Sequence, residues 1–368
     1  MRHCLAVVWR VLLLAAVWLG LPTPAAAQTT PAGPAQKPPD DTPAIRIGAT
    51  MFVDYTVTQK PETTDADGNE ITPNQFNVQR AYLNVTGQVS HLVAFRITPD
   101  ISRESGTGST LSGSYSYRLK YAYAQFNLDD WMPRGTYARF GMQPTPWIGF
   151  IDDVYRYRFQ GPTLEDREGI LSSSDFGASF RYVLPGNYGD VHGGFYNGDG
   201  YNRIESSDQK AVMVRVSVRP LPSHPRLRGF RVNGFYDLDA YVQNAERRRG
   251  IIGATYEHSL GNVGGNYLAT TDQTRATATQ VNGDGYTVWA TPKIHKGWEG
   301  LLRFDSLRPD DDLDGRRRRS IVGVAYWFPR QGSATAALLL DMENVDNDGF
   351  LPDRPDERRF AVHMLVNF

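Results

Sequence analysis

The sequence predicts an all-β chain that folds as a transmembrane, antiparallel, up-and-down β-barrel of about sixteen strands. Three observations support this prediction. Apolar and polar residues alternate in recurring segments from Ile45 to the last residue, long and short connections separate those segments, and aromatic residues make up 12% of the chain. Mean hydropathy is only −0.43. A barrel accommodates that value because only every second strand residue faces lipid, while the interior and the loops are polar.

Residues 1–27 have the organisation of a secretory signal peptide. Arg2 and Arg10 lie in a short basic start, an apolar run follows from residue 11 to residue 21, and three alanines precede Gln28. This is the order of basic region, apolar core and small-residue cleavage site, and the apolar run is too short to span a bilayer comfortably. The sequence therefore predicts export; a retained N-terminal anchor helix is the alternative.

Residues 28–44 are rich in proline and almost free of large apolar side chains, so we expect a flexible lead-in before a barrel domain at residues 45–368. The only cysteine, Cys4, lies in the predicted signal peptide. Disulfides, thiolate chemistry and cysteine-based zinc sites are therefore not expected. The formal net charge of −1 gives no indication of nucleic-acid binding.

The last eleven residues, 358–368, form the most regular predicted strand. Because side chains alternate across a strand, one face carries Phe360, Val362, Met364, Val366 and Phe368. The other face carries Arg359, Ala361, His363, Leu365 and Asn367. This strand resembles the closing strand of bacterial outer-membrane β-barrels, where the terminal Phe is part of the signal for the barrel-assembly machinery. We therefore expect Phe368 to pair with the strand that begins near Ile45.

Long and short connections are predicted to alternate strictly. The long gaps cover residues 58–74, 101–116, 143–174, 197–208, 242–248, 270–285, 306–318 and 343–356. Short links lie between them. An up-and-down barrel with both termini on the periplasmic side has long extracellular loops and short periplasmic turns. A soluble β-sandwich has no reason to sort its connections by length in this way.

Three short motifs follow one another in the first half of the chain. Residues 138–147 are Ala-Arg-Phe-Gly-Met-Gln-Pro-Thr-Pro-Trp, residues 175–178 are Asp-Phe-Gly-Ala, and residues 194–200 are Gly-Phe-Tyr-Asn-Gly-Asp-Gly. Their order resembles the phosphate-selective porin O/P family of bacterial outer-membrane porins. The resemblance implies a homotrimer of barrels that passes small solutes. Thr145 stands where that family usually has Lys, so phosphate selectivity is not carried over.

Strand parity assigns the basic residues to the barrel interior. If Val93, Phe95 and Ile97 face lipid, Arg96 faces water, and a charge on the lipid face would cost about 2–4 kcal/mol. The pore-lining residues predicted in this way are Arg80, Arg96, Arg118, Lys120, Arg139, Arg181, Arg215 and Arg303. Charges along a pore select ions, so this set predicts anion attraction. The alternative is that these cations pair with carboxylates and make the lumen wall hydrophilic without selecting ions.

The longest connection, residues 143–174, is the third long loop. In general porins that loop folds into the lumen and narrows it, and the resemblance implies the same here. We expect Arg156 and Arg158 of this loop to face the constriction. The alternative is an exposed loop whose aromatic side chains pack on a neighbouring subunit.

One predicted outward loop contains a partial calcium-binding motif. Asp310, Asp312 and Asp314 match ligand positions of an EF-hand loop, but Ile321 stands where the bidentate Glu is required. Asx-type turns explain the segment, so no metal site is predicted. The basic run at residues 316–319 is expected to be solvated or to meet lipid phosphates.

The sequence thus predicts a passive, water-filled outer-membrane channel for small hydrophilic solutes or ions, with a preference for anions. The chain has no metalloprotease, nucleophile-elbow or phosphate-loop motif, so we expect no catalytic residue and no cofactor. Expected partners are outer-membrane lipid and lipopolysaccharide, the barrel-assembly machinery, and further copies of the chain in a trimer. The alternatives are a barrel hydrolase and a plugged barrel that acts as an adhesin or anchor.

Overall fold

The computed structural model describes residues 41–104, 108–205 and 208–368. The predicted signal peptide and the lead-in as far as residue 40 lie outside these ranges. Sixteen strands of the described part close into one antiparallel barrel in which each strand pairs with its neighbours in the chain. This confirms the predicted all-β, up-and-down architecture. No helix among the described residues has the length and apolar character needed to cross a membrane.

The strands are β1 (Ala44–Lys60), β2 (Thr63–Thr64), β3 (Glu70–Ile71), β4 (Asn74–Gln88), β5 (Val93–Arg103), β6 (Tyr115–Asn127), β7 (Tyr137–Pro144), β8 (Ser174–Leu184), β9 (Gly189–Tyr196), β10 (Ala211–Val218), β11 (Phe230–Val242), β12 (Ala245–His258), β13 (Gly261–Asp272), β14 (Val281–His295), β15 (Trp298–Arg308), β16 (Arg316–Trp327), β17 (Thr335–Asp348) and β18 (Glu357–Asn367). The helices are α1 (Pro146–Tyr155), α2 (Leu164–Arg167) and a 3₁₀ turn at Pro185–Asn187. Strands β2 and β3 form a small separate sheet in the first loop.

Exposure alternates along the barrel strands with a period of two. On β10, Val214 and Val216 are 39% and 38% exposed, whereas Met213 and Arg215 are only 4% and 2% exposed. The exposed side is apolar and the covered side contains the charges. Because a lipid-facing surface must be apolar, the exposed side is the outer face of the barrel and the covered side is its interior.

The barrel closes where the C-terminus meets β1. Phe368 N–H donates to Ala49 O at 2.9 Å, and Ala49 N–H donates to Phe368 O at 3.1 Å. A Cβ atom on Gly48 would lie 2.5 Å from Phe368 O, so glycine permits this close approach. The predicted pairing of the closing strand with the first strand is confirmed. Its predicted faces also hold, because Phe360 is 40% exposed and His363 only 5%.

A β-bulge redirects Lys120 into the interior. The β5–β6 register changes from Thr98 opposite Tyr121 to Pro99 opposite Leu119, which leaves Lys120 as the extra residue. Leu119 is 42% exposed on the outer face, while Lys120 is 3% exposed and its Nζ lies 5.7 Å from the Tyr121 ring centroid. Lys120 and Tyr121 therefore both point inward although they are adjacent, as bulges allow.

The predicted strict alternation of connection lengths is wrong. Residues 219–229, eleven in number, connect β10 to β11, where the sequence predicted a short link. Only residues 243–244 join β11 to β12, where the sequence predicted a long gap at residues 242–248. The strands continue through this polar segment, and Arg247 Nη1 lies 3.0 Å from Asp239 Oδ2. Residues 242–248 have the polar, arginine-rich composition of a loop, but ion pairs between β11 and β12 stabilise this segment as a hairpin.

Candidate functional site

The connection between β7 and β8, residues 145–173, folds into the barrel, and we call it the inward loop. Its two helices are joined by a buried hydrogen bond in which Trp147 Nε1 donates to Glu165 Oε1 at 3.0 Å. Ile148 and Ile151 of α1 are 0% and 2% exposed. The loop therefore packs as an apolar unit against other parts of the chain, as the resemblance to porins implied.

Aromatic side chains of the inward loop pack on the inner wall of the barrel. The pairs are Trp147 with Phe235 on β11, Tyr155 with Trp289 on β14, Tyr157 with Trp327 on β16, and Phe159 with Phe52 on β1. Backbone carbonyls of the loop are also bound, because Arg215 on β10 donates to Pro146 O at 2.9 Å. The loop thus covers the wall from β10 round to β1 and leaves β4 to β9 facing the opposite side of the lumen.

A buried carboxylate on β17 holds the far end of the inward loop. Glu343 is 2% exposed. It accepts hydrogen bonds from Arg167 of the loop at 2.9 Å, from Arg319 on β16 at 3.0 Å and from Arg359 on β18 at 2.8 Å. Three guanidinium groups around one carboxylate leave local positive charge, and a second acid is needed nearby to balance it.

Glu168 of the inward loop supplies that second acid. Arg317 Nη1 and Arg319 Nη1 each lie 2.8 Å from a Glu168 carboxylate oxygen. The expectation that residues 316–319 are a solvated or lipid-binding run is therefore wrong for these two arginines. Both lie inside the barrel because they belong to β16 rather than to a loop, whereas Arg318 pairs with Asp348 in a more exposed position.

The strands opposite the loop present the predicted cations as a basic wall, which consists of Arg80, Arg96, Arg118, Lys120, Arg139 and Arg181. Some of these charges are neutralised on the wall itself. Arg80 Nη1 lies 2.7 Å and Arg118 Nη2 3.6 Å from Asp100 Oδ2. Arg181 Nε lies 3.0 Å from Asp190 Oδ2.

The other three members of the basic wall have neutral partners only. Arg96 donates to Thr98 Oγ1 at 2.9 Å and to Asn84 Oδ1 at 2.8 Å. Lys120 donates to a tyrosine hydroxyl at 3.2 Å, and Arg139 Nε donates to a glutamine oxygen at 2.8 Å. Within the described ranges, no carboxylate lies within 4.0 Å of any of these three cations, so no ion pair neutralises the charge of Arg96 or Arg139.

The four remaining predicted residues are all paired with carboxylates. Arg303 Nη2 lies 2.7 Å from Asp305 Oδ2 and its Nη1 donates to the loop carbonyl of Pro162, so it anchors the loop. Arg215 pairs with Asp190 and also binds the loop. Of the predicted constriction residues, Arg156 Nη2 lies 3.4 Å from a Glu299 oxygen on β15.

Arg158 of the inward loop interacts electrostatically with Lys120 and Arg80 of the basic wall. It is held by two loop carboxylates, with Nη2 2.8 Å from Asp166 Oδ2 and Nε 3.3 Å from Asp152 Oδ2. Asp153 is exposed and interacts electrostatically with Arg181 and Arg96 on the basic wall. The inward loop therefore presents carboxylates to a wall of cations, and the space between them is the candidate constriction.

A serine–histidine contact on the wall has two of the residue types of a hydrolase triad. His192 Nε2 lies 3.2 Å from Ser179 Oγ, but this hydroxyl donates to Gln143 Oε1 at 2.6 Å. Asp190, the nearest acid along the strand, is bound to arginines. The arrangement lacks the proton path from serine to histidine to carboxylate that a hydrolase triad requires.

The connection between β15 and β16, residues 309–315, contains a cluster with the composition of a cation site. Carboxylate oxygens of Asp310, Asp311 and Asp312 lie within 4.8 Å of one another. The Asp312 N–H donates to Asp310 Oδ1 at 3.0 Å, which is an Asx turn. The geometry agrees with the turn interpretation of this segment.

Sequence reasoning missed Glu343 and the tyrosines of the basic wall. Glu343 lies within a strand of alternating residues, where it looks like any interior polar position. Its partner Arg167 is 176 residues away in the chain. The inward orientation of the wall tyrosines could have been predicted, because Tyr121 and Tyr123 are two residues apart on β6 and the flanking strands carry arginines. Strand parity alone does not show that the tyrosine rings stack on those arginines.

Comparisons with known proteins identify the fold. No family model matches the chain, and no curated protein matches its sequence. Among solved structures, an anion-selective porin from Comamonas acidovorans is similar at a TM-score of 0.61 and 12% identity, over 89% of this chain and 100% of that one. The outer-membrane channel DcaP of Acinetobacter baumannii is similar at a TM-score of 0.58 and 12% identity, over 89% and 97%.

A trimer form of OmpT, an outer-membrane protein of Vibrio cholerae, is similar at a TM-score of 0.55 and 12% identity, over 89% of this chain and 100% of that one. These three similarities extend over nearly the whole described barrel. The chain therefore has the sixteen-stranded fold of outer-membrane porins.

Proposed function

We propose that the protein is an outer-membrane porin, a passive channel for small hydrophilic solutes or ions with a preference for anions. One observation supports this most directly. The inward loop is fixed to one side of the lumen, and on the opposite wall Arg96 and Arg139 have no carboxylate within 4.0 Å among the described residues. Net positive charge beside a narrow passage raises the local concentration of anions.

The proposal includes location and assembly. The apolar outer face requires lipid, and the predicted signal peptide would direct the chain to the periplasm, from which the barrel-assembly machinery inserts such proteins. A homotrimer in contact with lipopolysaccharide is proposed from the resemblance to the O/P porin family. Phosphate selectivity is not part of the proposal, because the basic wall contains a single lysine.

Single-channel recording of the purified protein in planar bilayers tests the function. We expect stable, ohmic conductance steps whose size is unaffected by lipid or peptide substrates. A bilayer that stays closed, together with release of fatty acid or peptide fragments, would instead support a barrel hydrolase. A closed bilayer without hydrolysis would support a plugged barrel.

A further inference from the structure

Tyrosine and arginine side chains alternate across three neighbouring strands of the basic wall. Arg96 Cζ lies 4.5 Å from the Tyr121 ring centroid, and Arg96 is directly opposite Tyr123 in the β5–β6 register. Arg139 Cζ lies 4.7 Å from the Tyr123 ring centroid and 4.1 Å from that of Tyr137. We call this series, from Tyr121 through Arg96, Tyr123 and Arg139 to Tyr137, the Tyr–Arg row.

Strand pairing explains why the row is continuous. Tyr121 and Tyr123 are two residues apart on β6, so both face the interior. Arg96 on β5 and Arg139 on β7 lie on the two strands that flank β6. Each guanidinium group can therefore lie against a phenol ring of β6, which is a favourable cation–π arrangement.

The arginines of the row keep unused hydrogen-bonding capacity. Arg139 donates from Nε to Gln125, and within the described residues neither of its terminal nitrogens has a hydrogen-bond partner. Both Arg96 and Arg139 are only half-buried. A guanidinium group that is stacked on a ring and open at its edge is oriented to bind a planar carboxylate through two parallel hydrogen bonds.

The loop opposite favours a solute with only one charged end. Asp153 of the inward loop is exposed, and its carboxyl group interacts electrostatically with Arg96. It repels a second anionic group, while tyrosine rings offer apolar and aromatic contact on the wall side. The chemistry that fits the whole row is a flat ring with a single carboxylate, where the ring stacks on tyrosine and the carboxylate meets arginine.

We propose that the Tyr–Arg row is a subsite for aromatic carboxylates, the benzoate class of solute. This proposal rests on the proposed channel function and specifies which anions the same constriction prefers. An inorganic anion interacts only with the arginines of the row. An aromatic carboxylate interacts with the arginines through its carboxylate and with the tyrosine rings through its own ring.

Block of chloride current by added organic anions tests the proposal, with benzoate as the probe and cyclohexanecarboxylate as its non-aromatic match. We expect benzoate to block at a concentration about fivefold lower, which corresponds to one added ring contact. Tyr123→Leu should remove that preference. Arg139→Gln should raise the half-blocking concentration of benzoate roughly tenfold, because a charge-assisted hydrogen bond is lost.

Two further variants separate charge from stacking. Arg139→Lys keeps the charge but loses the planar fork, so we expect it to retain anion selectivity and to weaken block by both carboxylates to a similar extent. Tyr236→Leu alters an outward-facing tyrosine that is 49% exposed and should leave block unchanged. Equal block by the two carboxylates in a conducting wild-type channel would overturn the inference and leave the channel function intact. Absence of any conductance would contradict the channel function itself.

Discussion

Arg167 of the inward loop and Glu343 on β17 form the central anchor of the candidate constriction. Arg167 Nη1 lies 2.9 Å from both carboxylate oxygens of Glu343. The Arg167 side chain is 10% exposed and that of Glu343 is 2% exposed. Because Glu343 also binds arginines from β16 and β18, a single side chain joins the loop to two strands of the wall.

Glu343→Gln should loosen the inward loop. The change leaves three arginines without their shared carboxylate and should lower the free energy of unfolding by about 2 kcal/mol, less than for a fully buried pair because Arg359 is 38% exposed. Single-channel records should show a larger mean conductance and greater open-state noise. Glu246→Gln is the matched control, since Glu246 pairs with Arg248 and both side chains are 43% exposed. Identical noise in the two variants would refute the anchoring role.

The cations without carboxylate partners should dominate ion selectivity. Arg96→Gln combined with Arg139→Gln should move the reversal potential toward that of a cation-selective channel, because the charge of these arginines is not locally cancelled. Arg80→Gln combined with Arg181→Gln removes the same charge from two arginines that already pair with Asp100 at 2.7 Å and with Asp190 at 3.0 Å, so a smaller shift is expected. Equal shifts in the two experiments would show that local pairing does not control selectivity.

Arg156 and Arg158 remain predicted constriction residues. Both are paired with carboxylates, but Arg158 also interacts electrostatically with Lys120 and Arg80 of the basic wall. Arg156→Ala combined with Arg158→Ala should reduce anion selectivity and change conductance, with most of the effect arising from Arg158. Reversal potentials of the double and single variants measure this. Unchanged selectivity and conductance in the double variant would exclude both residues from the constriction.

A histidine in the turn between β4 and β5 should make the rim sensitive to pH. Hydrogen bonds to Asp41 and Asp130 raise the pKa of His91 above its ordinary value. The stabilisation that results is fully present below the unfolded-state pKa of about 6.5. It is lost as the pH rises through the higher pKa of the folded state. Histidine NMR of the protein in nanodiscs should show this raised pKa. Asp41→Asn and Asp130→Asn should each lower it, and a wild-type His91 that titrates at its ordinary pKa would disprove the interaction.

Alternation of apolar and polar residues was sufficient to predict the fold. Lipid outside and water inside impose a period of two on every strand, and that period is visible in residues 358–368 without any structure. The same parity assigned cations such as Arg96 and Arg139 to the interior. These features are local, because each follows from residues that are neighbours in the chain.

The details of the candidate site could not be predicted, because they depend on distant pairs and on register. The partners Arg167 and Glu343 are 176 residues apart. The bulge at Lys120 changes which face adjacent residues occupy, and nothing in a simple alternating pattern shows where the register shifts. The hairpin at residues 243–244 was missed since interstrand ion pairs, rather than apolar residues, hold its end together.

The reversal potential of the wild-type channel in a steep potassium chloride gradient tests the central claim most directly. The cations of the basic wall that have no carboxylate partner predict a reversal potential that is displaced from zero toward the chloride equilibrium potential. This displacement should become smaller at higher ionic strength, because salt screens those charges. A reversal potential on the potassium side, or one that does not change with ionic strength, would contradict the claim that the basic wall controls passage.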